Sequence, residues 1–243
     1  MRRGGASARR LTRAARTVDP GRSIVPAPTT PALPEATPGT VLLIACGALA
    51  REVLALRQLN AWDCLALTCL PASLHNTPEA IPEAVRARIR AARAAGHTSI
   101  FVLFADCGTG GMLDQVCTDE GVERIAGAHC YAFFDGVERF AARAEAGEIG
   151  AFYLTDFLAR QFDTLVWRGL GLDRYPDLLP VLFGGYDKLI HLAQTEDPAL
   201  EHAAQVAATR LGLTFERRFT GYGALEGFMA RATRDTSEAH HNI

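Results

Sequence analysis

The chain has 243 residues, of which 49% are hydrophobic and 21% are charged, so it can bury the core of a globular protein. No apolar run approaches the roughly 20 residues that a membrane span needs, and we expect no membrane segment. The net charge of −2 is the sum of +5 over residues 1–39 and −7 over the remaining residues. A mildly acidic body argues against a nucleic-acid-binding core. Six irregularly spaced cysteines are too few for a disulfide scaffold and indicate reduced thiols in a cytoplasmic protein.

The first 39 residues are predicted to form a disordered, basic tail. They combine seven arginines and six prolines with alanine and small polar residues. Large apolar side chains are too few in this segment to offset the entropy of ordering it. The segment also lacks the apolar stretch of a secretory signal. Order is therefore expected to begin at Thr40.

From Thr40 onward, apolar runs and helical periodicity alternate along the chain. The first run, Val41–Gly47, predicts a strand buried on both faces. Further strands are expected over 65–70, 100–104 and 122–126, and helices over 49–59, 79–95, 112–120 and 135–146. This alternation predicts an α/β fold with a mostly parallel, Rossmann-like, doubly wound sheet and helices on both faces.

The second half of the chain is less regular. Helices are expected from the Thr155-Asp156 cap to about residue 168, over 175–183, from Asp197-Pro198 to residue 211 and after Gly223, with strands over 188–193 and 213–219. The polar residues from 233 to 243 are expected to fray. One α/β domain over residues 40–232 and a pair of similar lobes both fit this order of elements.

The stretch from Ser99 to Leu113 places a candidate site in the sheet. Its apolar run ends at Asp106-Cys107, and the glycines that follow precede a helix: Gly108, Gly110 and Gly111. In open α/β sheets, ligands bind at the carboxyl ends of the strands. Asp106 and Cys107 are therefore candidate catalytic residues, although Asp106 could equally cap the helix. The glycines could bind a phosphate or cofactor with their backbone N–H groups, or could simply form a tight turn.

Three cysteines and one histidine are expected to meet at the same edge. Cys46 and Cys107 end or follow strands, Cys130 follows the fourth strand, and His75 lies in the loop after the second. Three thiolates and an imidazole form a suitable ligand set for zinc or iron. The alternative is that the cysteines are small buried apolar residues, because no C-x-x-C spacing supports a metal site.

A nucleophilic cysteine is a further interpretation of the same residues. Cys107 would attack a small-molecule substrate, with His75 or His129 as the base. If the four ligands do not meet, Cys107 would act alone with Asp106 or His129 nearby. The sequence contains no G-x-S-x-G, H-E-x-x-H or P-loop motif that would point to another chemistry.

Several phrases of the sequence together resemble the bacterial and archaeal family called domain of unknown function 1638 (DUF1638). The resemblance extends from about Val41 to Phe228. The phrases are I-A-C-G-A-L-A-R-E (Ile44–Glu52), L-P-A-S-L-H-N-T-P (Leu70–Pro78), F-A-D-C-G-T-G-G (Phe104–Gly111), H-C-Y (His129–Tyr131), Y-L-T-D-F-L-A-R (Tyr153–Arg160) and F-E-R-R-F-T-G-Y-G (Phe215–Gly223).

The resemblance confers no activity by itself. It implies an association with corrinoid-dependent methyltransferases of methylated-amine metabolism, and hence a role in one-carbon transfer or its maintenance. Two functions are compatible with that implication. The chain could be a metal-dependent enzyme or accessory protein that acts on a small molecule, or a non-catalytic binding or assembly partner of a corrinoid methyltransferase.

Overall fold

The computed structural model describes residues 31–146 and 148–239. Within those ranges, the strands form two all-parallel sheets flanked by helices, which confirms the predicted α/β doubly wound class. None of the helices there is long and apolar enough to cross a membrane. The strands are β1 Val41–Cys46, β2 Leu65–Leu70, β3 Ser99–Leu103, β4 Glu123–Arg124, β5 Ala151–Thr155, β6 Lys188–Ala193 and β7 Thr214–Phe219. The α-helices are α1 Ala50–Leu59, α2 Ile81–Ala94, α3 Met112–Asp119, α4 Cys130–Asp135, α5 Val137–Glu145, α6 Asp156–Gln161, α7 Leu178–Phe183, α8 Pro198–Leu211 and α9 Ala224–Ala239.

The first sheet has the strand order β2-β1-β3-β4. β1 is central, and Val41 stands opposite Leu65 of β2 and Ser99 of β3. The first five residues of β1 are completely buried because helices cover both faces of the sheet. β4 pairs with β3 through only two residues, so it is shorter than the strand predicted over 122–126.

The second sheet has the strand order β5-β6-β7, with β7 at one edge. The β1–β4 sheet with residues 31–135 and 224–239 is called the first lobe here, and the β5–β7 sheet with residues 136–223 the second lobe. The strands therefore belong to two separate sheets, while one composite domain and two similar lobes both remain compatible with this arrangement. β5 was not predicted, because its five residues follow a short 3-10 turn and carry no clear alternation.

The last helix returns to the first lobe. Leu225, Phe228 and Met229 of α9 belong to the same apolar core as Leu43 and Leu103 of the first sheet. The ring of Phe228 meets that of Phe101 of β3 edge-on, with centroids 5.9 Å apart. The chain therefore crosses between the lobes twice, first after α4 and again before α9.

The boundaries of the expected tails need correction. Residues 1–30 lie outside the described residues, but Leu33 and Pro34, which were assigned to the disordered tail, contact the first lobe. Leu33 contacts the core between the sheet and α2, and the carbonyl of Pro34 lies 3.1 Å from Nε2 of buried His97. At the other end, α9 continues to Ala239 beyond Thr233, where fraying was expected.

Candidate functional site

The four predicted metal ligands line a single cavity of about 200 Å³ at the carboxyl edge of the first sheet. Cys46 is the last residue of β1, and Cys107 follows β3 by four residues. Cys130 begins α4, and His75 lies in a 3-10 turn after β2. All four side chains surround one space, because parallel strands bring their carboxyl ends to the same edge of the sheet.

Cys107 holds an unusual backbone conformation. Its φ is +52°, in the left-handed region that favours glycine. Three nearby residues that also have positive φ are glycines: Gly108, Gly110 and Gly111. The N–H groups of Asp106 and Cys107 anchor this turn by donating to the carbonyls of Gly127 at 2.9 Å and Ala128 at 2.8 Å. A side chain at such a position is strained, and strain of this kind concentrates at functional sites.

Asp106 directs its carboxylate into the turn that follows it. It accepts hydrogen bonds from Oγ1 of Thr109 at 2.5 Å and from the N–H groups of Gly111 at 2.9 Å and Gly110 at 3.1 Å. Partial burial raises the pKa of this carboxyl, but these hydrogen bonds outweigh burial and lower it. These bonds close the loop before α3 instead of capping the helix, because the N-cap of α3 is Gly111, without a side-chain cap. Two loop N–H groups are therefore already used within the protein.

The three cavity thiols are held in their protonated form. Burial raises the pKa of Cys46 to about 12 and that of Cys107 to about 11, with the charge of Asp106 adding to the effect at Cys107. Burial also raises the pKa of Cys130, and the neighbouring Cys107 and Cys46 raise it further. The thiols are thus close enough to repel one another when ionised.

His75 is neutral in the same cavity. Burial lowers its pKa, and the nearby His129 lowers it further. The neutral imidazole is the form that binds metal ions. As the side chains are placed, however, no group of three or more His, Cys, Asp or Glu within 31–146 and 148–239 is arranged to hold a metal ion.

The opposite wall of the cavity comes from the second lobe and was not predicted. Its apolar side chains belong to β5 and to the helix after it, where α6 continues as a π-helical turn over Phe162–Trp167. π-Helical turns are rare and often occur at functional sites. The wall consists of Phe152, Phe157, Leu158, Leu165, Val166 and Leu170.

Tyr131 connects the cavity wall to a polar network in the second lobe. Its ring stacks on that of Tyr153 with centroids 5.5 Å apart, and the Tyr153 hydroxyl donates to Glu148 at 2.7 Å. Arg218 donates two hydrogen bonds to the same carboxylate, at 2.7 and 2.6 Å. The neighbouring Arg217 also forms an ion pair, since it donates to Glu196 at 2.7 Å.

Motif residues from both lobes also meet beside the cavity. Glu52 of α1 and Arg160 of α6 are 4.0 Å apart, and Glu52 is buried. Asp156 and Tyr222 lie close enough to Glu52 for their charges to interact with it. Asp156 also accepts from Nε2 of His191 at 3.0 Å and from Oγ1 of Thr195 at 2.6 Å. Of these contacts, the one between Glu52 and Arg160 joins α6 to the first lobe, and those of Asp156 with His191 and Thr195 hold α6 within the second lobe.

The fold and the cavity define an α/β protein with two parallel sheets and a cavity lined by three thiols and an imidazole of the first lobe and by apolar side chains of both lobes. The family described as "Protein of unknown function (DUF1638)" matches residues 69–229, and the chain belongs to that family. The match begins at Cys69, later than the resemblance that we expected from Val41. No curated protein and no solved structure matches the chain.

Proposed function

We propose that the cavity binds a zinc or iron ion through Cys46, Cys107, Cys130 and His75, together with a small and largely apolar substrate. The chain would then act as an enzyme or accessory protein in one-carbon metabolism. The observation that carries this proposal is the presence of all four side chains around one cavity. Sulfur and imidazole nitrogen are the donors that zinc and iron prefer in proteins.

A metal ion bound here would have to displace the protons of the cavity thiols. Thiols that repel one another and are shielded from water ionise only when a positive charge replaces their protons. The neutral His75 is ready to bind through nitrogen. Because the side chains are not arranged as a ligand group, binding requires them to turn. Rotation of a cysteine side chain between staggered conformations moves its sulfur by about 3 Å.

The chain supplies substrate binding and exclusion of water. A bound metal ion would supply Lewis-acid chemistry at the thiol side of the cavity. Phe157, Leu158 and Val166 face it from the second lobe, so they would hold an apolar part of the substrate and keep water away.

The test is metal analysis of protein purified without a histidine tag. We expect zinc or iron near one equivalent per chain, with the metal lost in Cys107→Ser. Cys64→Ser is the matched control, since Cys64 is also partly buried but lies outside the cavity. Apparent affinity should rise with pH between 6.5 and 8, by up to about tenfold per pH unit for each proton displaced. Metal-free wild-type protein that stays folded and active would contradict the proposal.

A nucleophilic Cys107 is less compatible with the cavity. A thiol with a pKa of about 11 is almost entirely protonated at neutral pH, and the adjacent Asp106 carboxylate disfavours the thiolate further. Alkylation by iodoacetamide distinguishes the two proposals. We expect slow modification of Cys107 at pH 7, whereas modification faster than that of a free cysteine would favour the nucleophile.

A non-catalytic binding partner of a corrinoid methyltransferase remains the second candidate. The observation in its favour is a group of exposed apolar side chains around α7: Leu170, Tyr175, Val181, Leu182 and Tyr186. Co-purification with such a methyltransferase, lost in Val181→Asp, together with no turnover of a methylated amine or thiol, would support this candidate. The exposed Leu59→Asp change provides the control, because Leu59 lies on α1 away from α7.

A further inference from the structure

A second cavity, of about 400 Å³, is lined by residues at the end of α4, in α5 and at the end of the edge strand β7. Three of the side chains that line it are arginines: Arg139 and Arg143 of α5 and Arg218 of β7. Arg139 and Arg143 are one helical turn apart and therefore share a face of α5. Asp135 contributes the negative charge of the lining, and Phe219 and Thr220 complete it.

Two of the three arginines are balanced by carboxylates. Arg218 is held by Glu148 and, through Nε at 2.6 Å, by Glu216. Arg143 pairs with the carboxylate of the buried Asp135. These ion pairs hold the two guanidinium groups in place at the cavity.

The side chain of Arg139 is held in place, but its charge is not balanced by a carboxylate in the described part of the chain. Its Nε donates to the backbone carbonyl of Asp135 at 2.8 Å, and among the described side chains of residues 31–146, 148 and 150–234 no carboxylate pairs with it. Its guanidinium also packs against Gly136, where a Cβ would lie only 3.1 Å from Nε and Nη2. Both terminal nitrogens of Arg139 are therefore left for a ligand, on a side chain whose direction is already set.

We propose that this cavity binds a phosphate group, either free phosphate or the phosphate of a small monoester. The forked donors of a guanidinium match the oxygens of a phosphate in pairs. Thr220 supplies no donor, because its N–H and its hydroxyl both donate to the carbonyl of Ala193, so the phosphate would be bound from the α5 side by Arg139. The proposal does not depend on the metal in the thiol cavity, because it uses none of the same residues.

Free phosphate and a phosphate monoester differ in the organic group that a monoester would place next to Phe219. Phe219 lines the cavity and is 55% exposed, so a ring attached to the phosphate could stack on it. Free phosphate gains nothing from that ring. Inorganic phosphate and phenyl phosphate are therefore the two probes.

The experiment is calorimetric titration of the full chain with each probe at constant ionic strength. We expect millimolar or tighter binding to the wild type, weakened by about tenfold or more in Arg139→Gln, because a charge-assisted pair of hydrogen bonds is lost. Arg168→Gln is the matched control and should change the affinity by less than about twofold. Arg168 is likewise an exposed arginine whose Nε donates to a backbone carbonyl, that of Asp163.

The outcomes separate clearly. Tighter binding of phenyl phosphate assigns the site to a monoester, and equal binding assigns it to phosphate itself; both support the site. No binding of either probe, or the same affinity in the wild type and Arg139→Gln, overturns it. Arg139→Lys provides a second variant that keeps the charge but loses the fork, and its affinity should lie between those of the wild type and Arg139→Gln.

Discussion

Replacing Cys107 by glycine should harm the fold less than replacing it by alanine. At φ +52° any side chain is strained by about 1–2 kcal/mol, and glycine removes that strain. Against this, glycine increases the conformational entropy of the unfolded chain by an equivalent of about 0.5–1 kcal/mol. Both variants lose the packing of the sulfur equally. Cys107→Gly should therefore be as stable as Cys107→Ala or more stable, by up to about 1 kcal/mol.

Cys117 provides the reference for this comparison. It is buried in α3, where the backbone is helical and glycine is about 1 kcal/mol less favourable than alanine. The order of the two variants should thus be reversed between the positions. Urea unfolding of Cys107→Gly, Cys107→Ala, Cys117→Gly and Cys117→Ala measures all four free energies. If alanine were about 1 kcal/mol more stable than glycine at both positions, strain at Cys107 would be refuted.

Two further predictions concern contacts that stabilise the fold around the two cavities. Hydrogen bonds from Arg218 lower the pKa of Glu148 from 4.5 to about 2. Glu148→Gln should therefore lower the free energy of unfolding at pH 7 by about 2 kcal/mol, and urea unfolding across pH should show this difference fading as pH falls from 4.5 towards 2. Gly223→Ala should destabilise by about 3 kcal/mol, since its Cβ would lie 2.3 Å from the carbonyl oxygen of Phe133. Thermal unfolding should show no such loss for Gly227→Ala, where nothing lies within 4 Å.

The sequence predicted those features that depend on local pattern. The β6 strand over Lys188–Ala193 was predicted with its observed bounds, because its apolar run is bounded by polar and turn residues. The caps at Thr155 and Asp197 were also predicted, and their side chains accept from Leu158 at 3.3 Å and Ala199 at 2.9 Å. A capping side chain acts within its own turn, so its sequence context is sufficient to identify it.

The features that were missed depend on contacts between distant parts of the chain. The sequence placed Cys46, His75, Cys107 and Cys130 at one edge, because the topology of parallel strands fixes that edge. The apolar wall of the cavity could not be predicted from the sequence. Its position depends on the orientation of the second lobe, which is set by contacts between distant residues such as Glu52 and Arg160. The π-helical turn also carries no periodicity of its own from which to predict it.

The return of α9 to the first lobe has a consequence for synthesis on the ribosome. The core of the first sheet is incomplete without Leu225, Phe228 and Met229, which follow the whole second lobe in the chain. The first lobe therefore cannot finish folding before the second lobe has emerged, even though its strands are translated first. During that interval the apolar face of the first sheet that contains Phe101 is uncovered. A chain that stops short of α9 would therefore destabilise the first lobe, although the strands of that lobe lie far from α9 in the sequence.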